Sequence, residues 1–165
     1  MDRAHFQNKA AQNSSVYAGL QALVADEFEN SRVSIRQMLQ GLGVQHVDQT
    51  SSGKGVLDSC RARRYDSILC DFRLTGGKNG QQVLEELREL KLLKPTNIFI
   101  IVSAETSRDV VMGIMESQPD EYLSKPFTQA VLARRLERQF LQSQALAKMK
   151  ESLAKGKYAE LIPAC

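Results

Sequence analysis

Residues 68–80 read ILCDFRLTGGKNG. An apolar run, Ile68-Leu69-Cys70, meets a carboxylate at Asp71, and a turn-rich stretch with Gly76, Gly77, Asn79 and Gly80 follows. A strand that is apolar at consecutive positions is buried on both faces, as in a parallel sheet covered by helices. Aspartate favours turns, so Asp71 alone marks only the end of a strand. A carboxylate at the carboxyl end of a strand also stands where open α/β sheets hold their ligands. The neighbouring segments decide between the two.

Outward from this run, apolar and amphipathic segments alternate. Upstream, LQALVA at 20–25 reads as a strand, followed by a helix capped by Asn30 or Ser31 that carries Val33, Ile35, Met38 and Leu39 and stops near Gly41 and Gly43. A short strand is expected at 44–47 and a helix at 51–64, with Val56, Leu57 and Cys60 on one face. Downstream, Asn79 caps a helix through Lys91 with Val83, Leu84, Leu87 and Leu90 at helical spacing, and Pro95 ends that unit. NIFIIV at 97–102 is β-branched and uninterrupted, the most strand-like run in the chain. A helix at 106–117, a brief strand at 121–123 and one long helix from Thr128 complete the pattern. Five strands alternating with five helices predict an α/β fold, a five-stranded parallel sheet with helices on both faces joined by right-handed crossovers.

Composition bounds the function. The chain has 165 residues, 42% hydrophobic and 25% charged, as in an ordinary globular protein able to bury a core. Its 22 basic and 19 acidic residues leave a net charge of +3, a weak argument for nucleic acid, and no DNA-reading module is recognisable. No run approaches the ~18 apolar residues of a membrane span. Cys60, Cys70 and Cys165 are odd in number and fit no metal motif, so they read as reduced thiols of a cytoplasmic protein. His5 and His46 are isolated, and Arg61, Arg63 and Arg64 read as a solvated face.

In a parallel sheet the carboxyl ends of all strands lie on one rim. Asp26 and Glu27 follow strand 1, Asp71 ends strand 3, Ser103 follows strand 4 and Lys125 follows strand 5. Three clustered carboxylates stay ionised only around a cation, and Mg²⁺, with its oxygen ligands and bridges to phosphate, is the natural one. An acid can then act as nucleophile and form an aspartyl phosphate, with the lysine and hydroxyl facing the phosphoryl group.

The text at these ends is LVADEF at 23–28, ILCDFRL at 68–74, IIVSAE at 100–105 and DEYLSKPF at 120–127. In this order it resembles the receiver domains of two-component response regulators, the chemotaxis response regulator being the minimal form. The resemblance implies a flavodoxin-like sheet of order 2-1-3-4-5 and a phosphoryl group accepted on Asp71 from a sensor histidine kinase or phosphotransfer protein. It implies a Mg²⁺ site of Asp26, Glu27, Asp71 and the backbone carbonyl of Arg73. Ser103 matches the switch hydroxyl, Lys125 the lysine that pairs with the phosphoryl group, and Tyr122 the aromatic that turns inward on activation. The Lys125-Pro126 bond is commonly cis in such domains. Signalling through a downstream protein or an attached effector region is implied, without enzymatic turnover beyond phosphorylation and dephosphorylation of Asp71 itself.

Three features depart from the family pattern: Glu27 replaces the usual aspartate, Thr75 the usual proline, and the loop 76–80 is one residue longer. Glu27 keeps open a receiver-like binding module that is never phosphorylated. A phosphatase of the haloacid dehalogenase type also forms an aspartyl phosphate, within Asp-x-Asp-x-Thr. Arg73 stands where its general acid would be, which argues against turnover.

The expected organisation is a flexible segment at 1–18, the receiver domain at 19–142 and a helical extension at 143–165. Leu132, Leu136 and Phe140 are placed to pack on the sheet, while Leu146, Met149 and Leu153 continue an apolar stripe beyond it. LAKGKYAELI at 153–162 resembles the turn of a tetratricopeptide repeat. The tail therefore reads as the front of a longer protein, or as the closure of a homodimer.

Overall fold

Every residue of strand β3 (Ser67–Asp71) is buried, and so is every residue of β4 (Ile98–Ser103). β4 carries the longest apolar run of the strands, and the two pair at the centre of the sheet. In the computed structural model, which describes residues 17–156, β1 (Gln21–Ala25), β2 (His46–Thr50) and β5 (Glu121–Ser124) complete a five-stranded parallel sheet of order β2-β1-β3-β4-β5. Helices α1 (Glu29–Leu42), α2 (Gly53–Ala62), α3 (Gly80–Glu89), α4 (Arg108–Glu116) and α5 (Gln129–Ala154) connect and follow the strands. The predicted fold class and strand order both hold.

Successive strand side chains point to opposite faces, and the two cores divide accordingly. Val24, Leu69, Ile100 and Val102 pack with Ile35 and Leu39 of α1 and Leu132 and Leu136 of α5. Leu23, Ile68, Cys70, Phe99 and Ile101 pack with Val56, Leu57, Val83, Leu84, Leu87 and Ile114 of α2, α3 and α4.

Several local expectations move. The second strand runs from His46 to Thr50, later than the expected 44–47. It is a half-exposed edge strand without a strong apolar run, while Val44 is a core residue of the turn before it, with its N–H bonded to Leu39 O. Helix α1 starts earlier than Asn30 or Ser31, with Phe28 at its N-cap position. The capping acceptor comes from the strand end instead: Asp26 Oδ1 receives the Phe28 N–H at 2.9 Å. Asn79 does cap α3, in a reciprocal capping box with Gln82.

The folded unit begins before residue 19. Tyr17, assigned by sequence to the flexible segment 1–18, is 5% exposed and packs edge-on against Phe140 with ring centroids 5.7 Å apart. Residues 1–16 of that segment, and the second half of the tetratricopeptide-like stretch at 157–165, lie outside the described residues. Helix α5 leaves the sheet after Leu136 and Phe140; Ser143 Oγ still donates to Thr96 O at 3.0 Å, but Leu141, Met149 and Leu153 are exposed. No described helix is long and apolar enough to cross a membrane.

Candidate functional site at the carboxyl rim of the sheet

Asp71 ends the central strand and is 7% exposed; Asp26, one residue past β1, is fully buried. Both carboxylates reach one ammonium. Lys125 Nζ, just past β5, lies 2.5 Å from Asp71 Oδ2 and 2.6 Å from Asp26 Oδ2. The remaining oxygens are held by backbone: Asp71 Oδ1 accepts the Arg73 N–H at 2.8 Å and Asp26 Oδ1 the Phe28 N–H. Lys125 is itself placed by its backbone, whose N–H bonds Ser103 O, and by the cis bond to Pro126 that the resemblance implied.

The shared lysine divides the two acids. Burial raises the pKa of Asp71, the Asp26 charge adds to this, and the Lys125 and Arg73 hydrogen bonds only partly offset it. Burial also opposes ionisation of Asp26, but hydrogen bonds from Lys125, Ser31 and Phe28 prevail and hold it below the usual carboxylate range. Burial disfavours the Lys125 ammonium, yet its two carboxylates outweigh that and raise its pKa. At neutral pH the arrangement is a cation between two anions.

Ser103 is buried at the same rim, where its Oγ accepts the Glu105 N–H at 2.9 Å. Tyr122 lies half-buried, its ring packed against the α2–α3–α4 core and its hydroxyl buried without a protein partner among the described residues. Glu27 is half-buried and lines a cavity beside the site together with Phe72, Arg73, Leu74 and Lys78. Of the three acids expected to converge, Asp26 and Asp71 are the two that share the Lys125 ammonium. Among the described residues no three Asp, Glu, His or Cys side chains gather into a metal-binding group. The donor set still fits Mg²⁺, which needs only one or two carboxylates and keeps its waters: Asp26 and Asp71 offer oxygen alone and already share one cation at about hydrogen-bond distance.

Three site residues were not singled out by sequence. Ser31 Oγ donates to Asp26 Oδ2 at 2.5 Å and accepts from Lys125 Nζ at 3.0 Å. Arg32 Nη1 donates to Asp26 O at 2.8 Å. Glu105 pairs with the exposed Arg73 side chain across the mouth of the site, Nε to Oε1 at 2.5 Å. Ser31 and Arg32 are the third and fourth residues of α1, so a check of which first-turn side chains face the end of β1 finds them. Glu105 lies within a quoted motif, but its partner comes from another loop.

The glycine-rich loop after Asp71 also has its reasons. Gly76 and Gly77 adopt φ of +86° and +91°, where other residues are strained. Gly80 is needed for space: a Cβ there would stand 2.5 Å from Asp71 O. Gly80→Ala is expected to cost about 1–3 kcal/mol and shift the backbone carrying Asp71. Urea melts check the first, and the chemical shift of the Asp71 amide checks the second.

A sequence model described as "Response regulator receiver domain" matches residues 22–137. Chemotaxis protein CheY of Pseudomonas aeruginosa is 26% identical over 121 residues, 73% of this chain and 96% of that protein. Among solved structures, the receiver domain of sensor histidine kinase PA1611 from P. aeruginosa, with magnesium ion coordinated in its active site cleft, is 27% identical with a TM-score of 0.65, covering 74% of this chain and 98% of that one. The Francisella response regulator 1452 receiver domain is 25% identical with a TM-score of 0.66, covering 76% and 99%.

Proposed function

Because the chain belongs to the response regulator receiver domain family, we propose that it accepts a phosphoryl group on Asp71 from a phosphohistidine of a sensor kinase or phosphotransfer protein. The observation that carries this is a single one: the buried carboxylate at the end of the central strand shares an ammonium with a second buried carboxylate. An ionised Asp71 oxygen attacks phosphorus in line. The phosphorus–nitrogen bond to the donor imidazole breaks, its electron pair leaves with the ring, and an acyl phosphate remains on Asp71. Lys125 then turns its charge from the Asp71 carboxylate to a phosphoryl oxygen, while Asp26 and Ser31 hold its other side. Ser103 supplies a hydroxyl to another phosphoryl oxygen.

Asp26, Glu27, Asp71 and the Arg73 carbonyl would hold Mg²⁺, which would supply positive charge to the transferring oxygens. The magnesium-bearing receiver domain of PA1611 supports this assignment. Output runs by protein–protein contact, through the surface of α4, β5 and α5 or through the α5 overhang, as Ser103 and Tyr122 bias two conformations. Catalytic turnover is not part of the proposal: Arg73 is a cation paired with Glu105 at the place where a phosphatase of the haloacid dehalogenase type needs an acid. A receiver-like module that is never phosphorylated has one observation in its favour, the departure from the usual aspartate at Glu27.

The test is incubation with acetyl phosphate and Mg²⁺ followed by intact mass spectrometry. One phosphoryl adduct, cleaved by hydroxylamine, is expected; its absence refutes phosphorylation and leaves the binding module. The metal-free site also carries a pH signature. The raised pKa of Asp71 means its carboxylate is lost, on acidification, at a higher pH than for an ordinary aspartate near 3.9. A carboxyl carbon NMR titration without Mg²⁺ that shows an ordinary or lowered value would contradict the site electrostatics.

A further inference from the structure

The rim opposite Asp71 carries a second feature that phosphoryl chemistry does not use. A cleft between the carboxyl ends of α2 and α3 is lined by Arg61, Arg63, Arg64, Lys91 and Lys94, around Cys60, Leu92 and Asn97. Five cations line it and no carboxylate does. The nearest acids are engaged elsewhere or only graze it. Asp58 and Asp48 make loose, exposed pairs with Arg61 and Arg63 at 3.5 and 3.7 Å. Asp66 and Asp120 are turned inward, accepting the Gln21 and Phe99 N–H groups.

Removing these five cations with Asp48 and Asp58 from the 22 basic and 19 acidic residues leaves 17 of each. The cleft with its two loosely paired acids thus carries a net charge of three. Complementing helix dipoles does not account for it. Two helix ends present roughly one negative charge between them, about half a unit each, against five positive ones.

We propose that this cleft docks an acidic segment of a partner protein. Three arginines offer planar forks suited to bidentate carboxylate pairing, and Leu92 offers an apolar floor for the segment's own side chains. Nucleic acid fits less well. Among the described residues the cleft lining has no aromatic side chain on which a base could stack. The cleft disfavours reactive-thiol chemistry, because Cys60 is half-buried and burial pushes its thiol up to about 11. The cleft and Asp71 are separated by the length of β3, about 15 Å, so docking does not require phosphorylation.

The probe is a fluorescein-labelled peptide of alternating glutamate and alanine, titrated with the full chain at low salt without a phosphoryl donor and read by anisotropy. Binding is expected to be at least about tenfold tighter than for the glutamine analogue and to weaken steeply with salt. Arg64 and Lys94 are exposed and carry no ion pair among the described residues, so Arg64→Glu with Lys94→Glu changes charge without unfolding the chain. That double variant should weaken binding at least about tenfold. The same change at Lys148 and Lys150 on the α5 overhang should leave it intact. Equal affinity for the glutamine analogue, or an equal loss from the α5 control, overturns the proposal. So does displacement of the peptide by a DNA duplex or by inorganic phosphate at lower concentration than by unlabelled peptide. Failure here leaves phosphorylation of Asp71 untouched, since no phosphoryl donor is present.

Discussion

Asp71→Asn is expected to abolish the phosphoryl adduct completely while leaving the fold within about 1 kcal/mol of wild type. The amide keeps the size of the carboxylate but is no nucleophile. Its single oxygen can accept from Arg73 N–H or from Lys125, not from both, and the lost hydrogen bond costs about 1 kcal/mol. Against this stands a gain. Burial disfavours the Asp71 charge strongly enough to raise its pKa despite Lys125, so removing that charge relieves the native state. Lys125 is not orphaned, because Asp26 Oδ2 and Ser31 Oγ still hold it.

The pH dependence follows from the sign. A group whose folded pKa is raised favours the fold in its protonated form, and that contribution is lost as pH rises through the folded value. The variant should therefore compare better with wild type at neutral pH than in acid. Intact mass after acetyl phosphate treatment and melts at both pH values check the two halves. An adduct that survives in the variant would move the acceptor to another residue, and a collapse in stability would make Asp71 a structural anchor first.

What the sequence disclosed follows from physical range. β3 and β4 are buried at every position because both sheet faces are covered, and their apolar runs end abruptly at Asp71 and Ser103, so those ends could be located. Lys125 was legible because Lys-Pro follows a short strand at a fixed place in the alternation. β2 was misplaced because an edge strand half-exposed along its length, HVDQT, has no apolar run to show. The start of α1 was misplaced because its first amide is capped by Asp26, a residue already assigned to another role.

Other features depend on contacts that no local pattern encodes. The cationic cleft needed Lys91 and Lys94 to come beside Arg61, Arg63 and Arg64, and the three arginines alone read as a solvated face. The Arg73–Glu105 pair joins two loops. Gly80 was legible as a turn residue, but its reason, the Asp71 carbonyl 2.5 Å from where a Cβ would stand, belongs to tertiary packing.

Lys125→Met should act on stability where Asp71→Asn does not. Methionine keeps much of the aliphatic stem but removes the ammonium that Asp26 and Asp71 share. Two buried carboxylates then face each other without a counter-charge, which costs about 3 kcal/mol at neutral pH. The deficit has a shape in pH. Asp26 has a depressed folded pKa, so its contribution exists above its unfolded pKa and is lost as pH falls through the folded one. Lys125 has a raised folded pKa, so its contribution exists below its unfolded pKa and is lost as pH rises through the folded one. The difference between wild type and variant is therefore widest between the carboxylate and lysine titrations and narrows at both ends. Mg²⁺ adds a second handle: a divalent cation bound by the same carboxylates should restore part of the lost stability in Lys125→Met and raise wild type less. Urea melts across pH, with Mg²⁺ and with chelator, measure both effects. A loss equal at every pH and indifferent to Mg²⁺ would mean that Lys125 contributes through the packing of its stem, and the shared cation would no longer explain how two acids stay ionised at this rim.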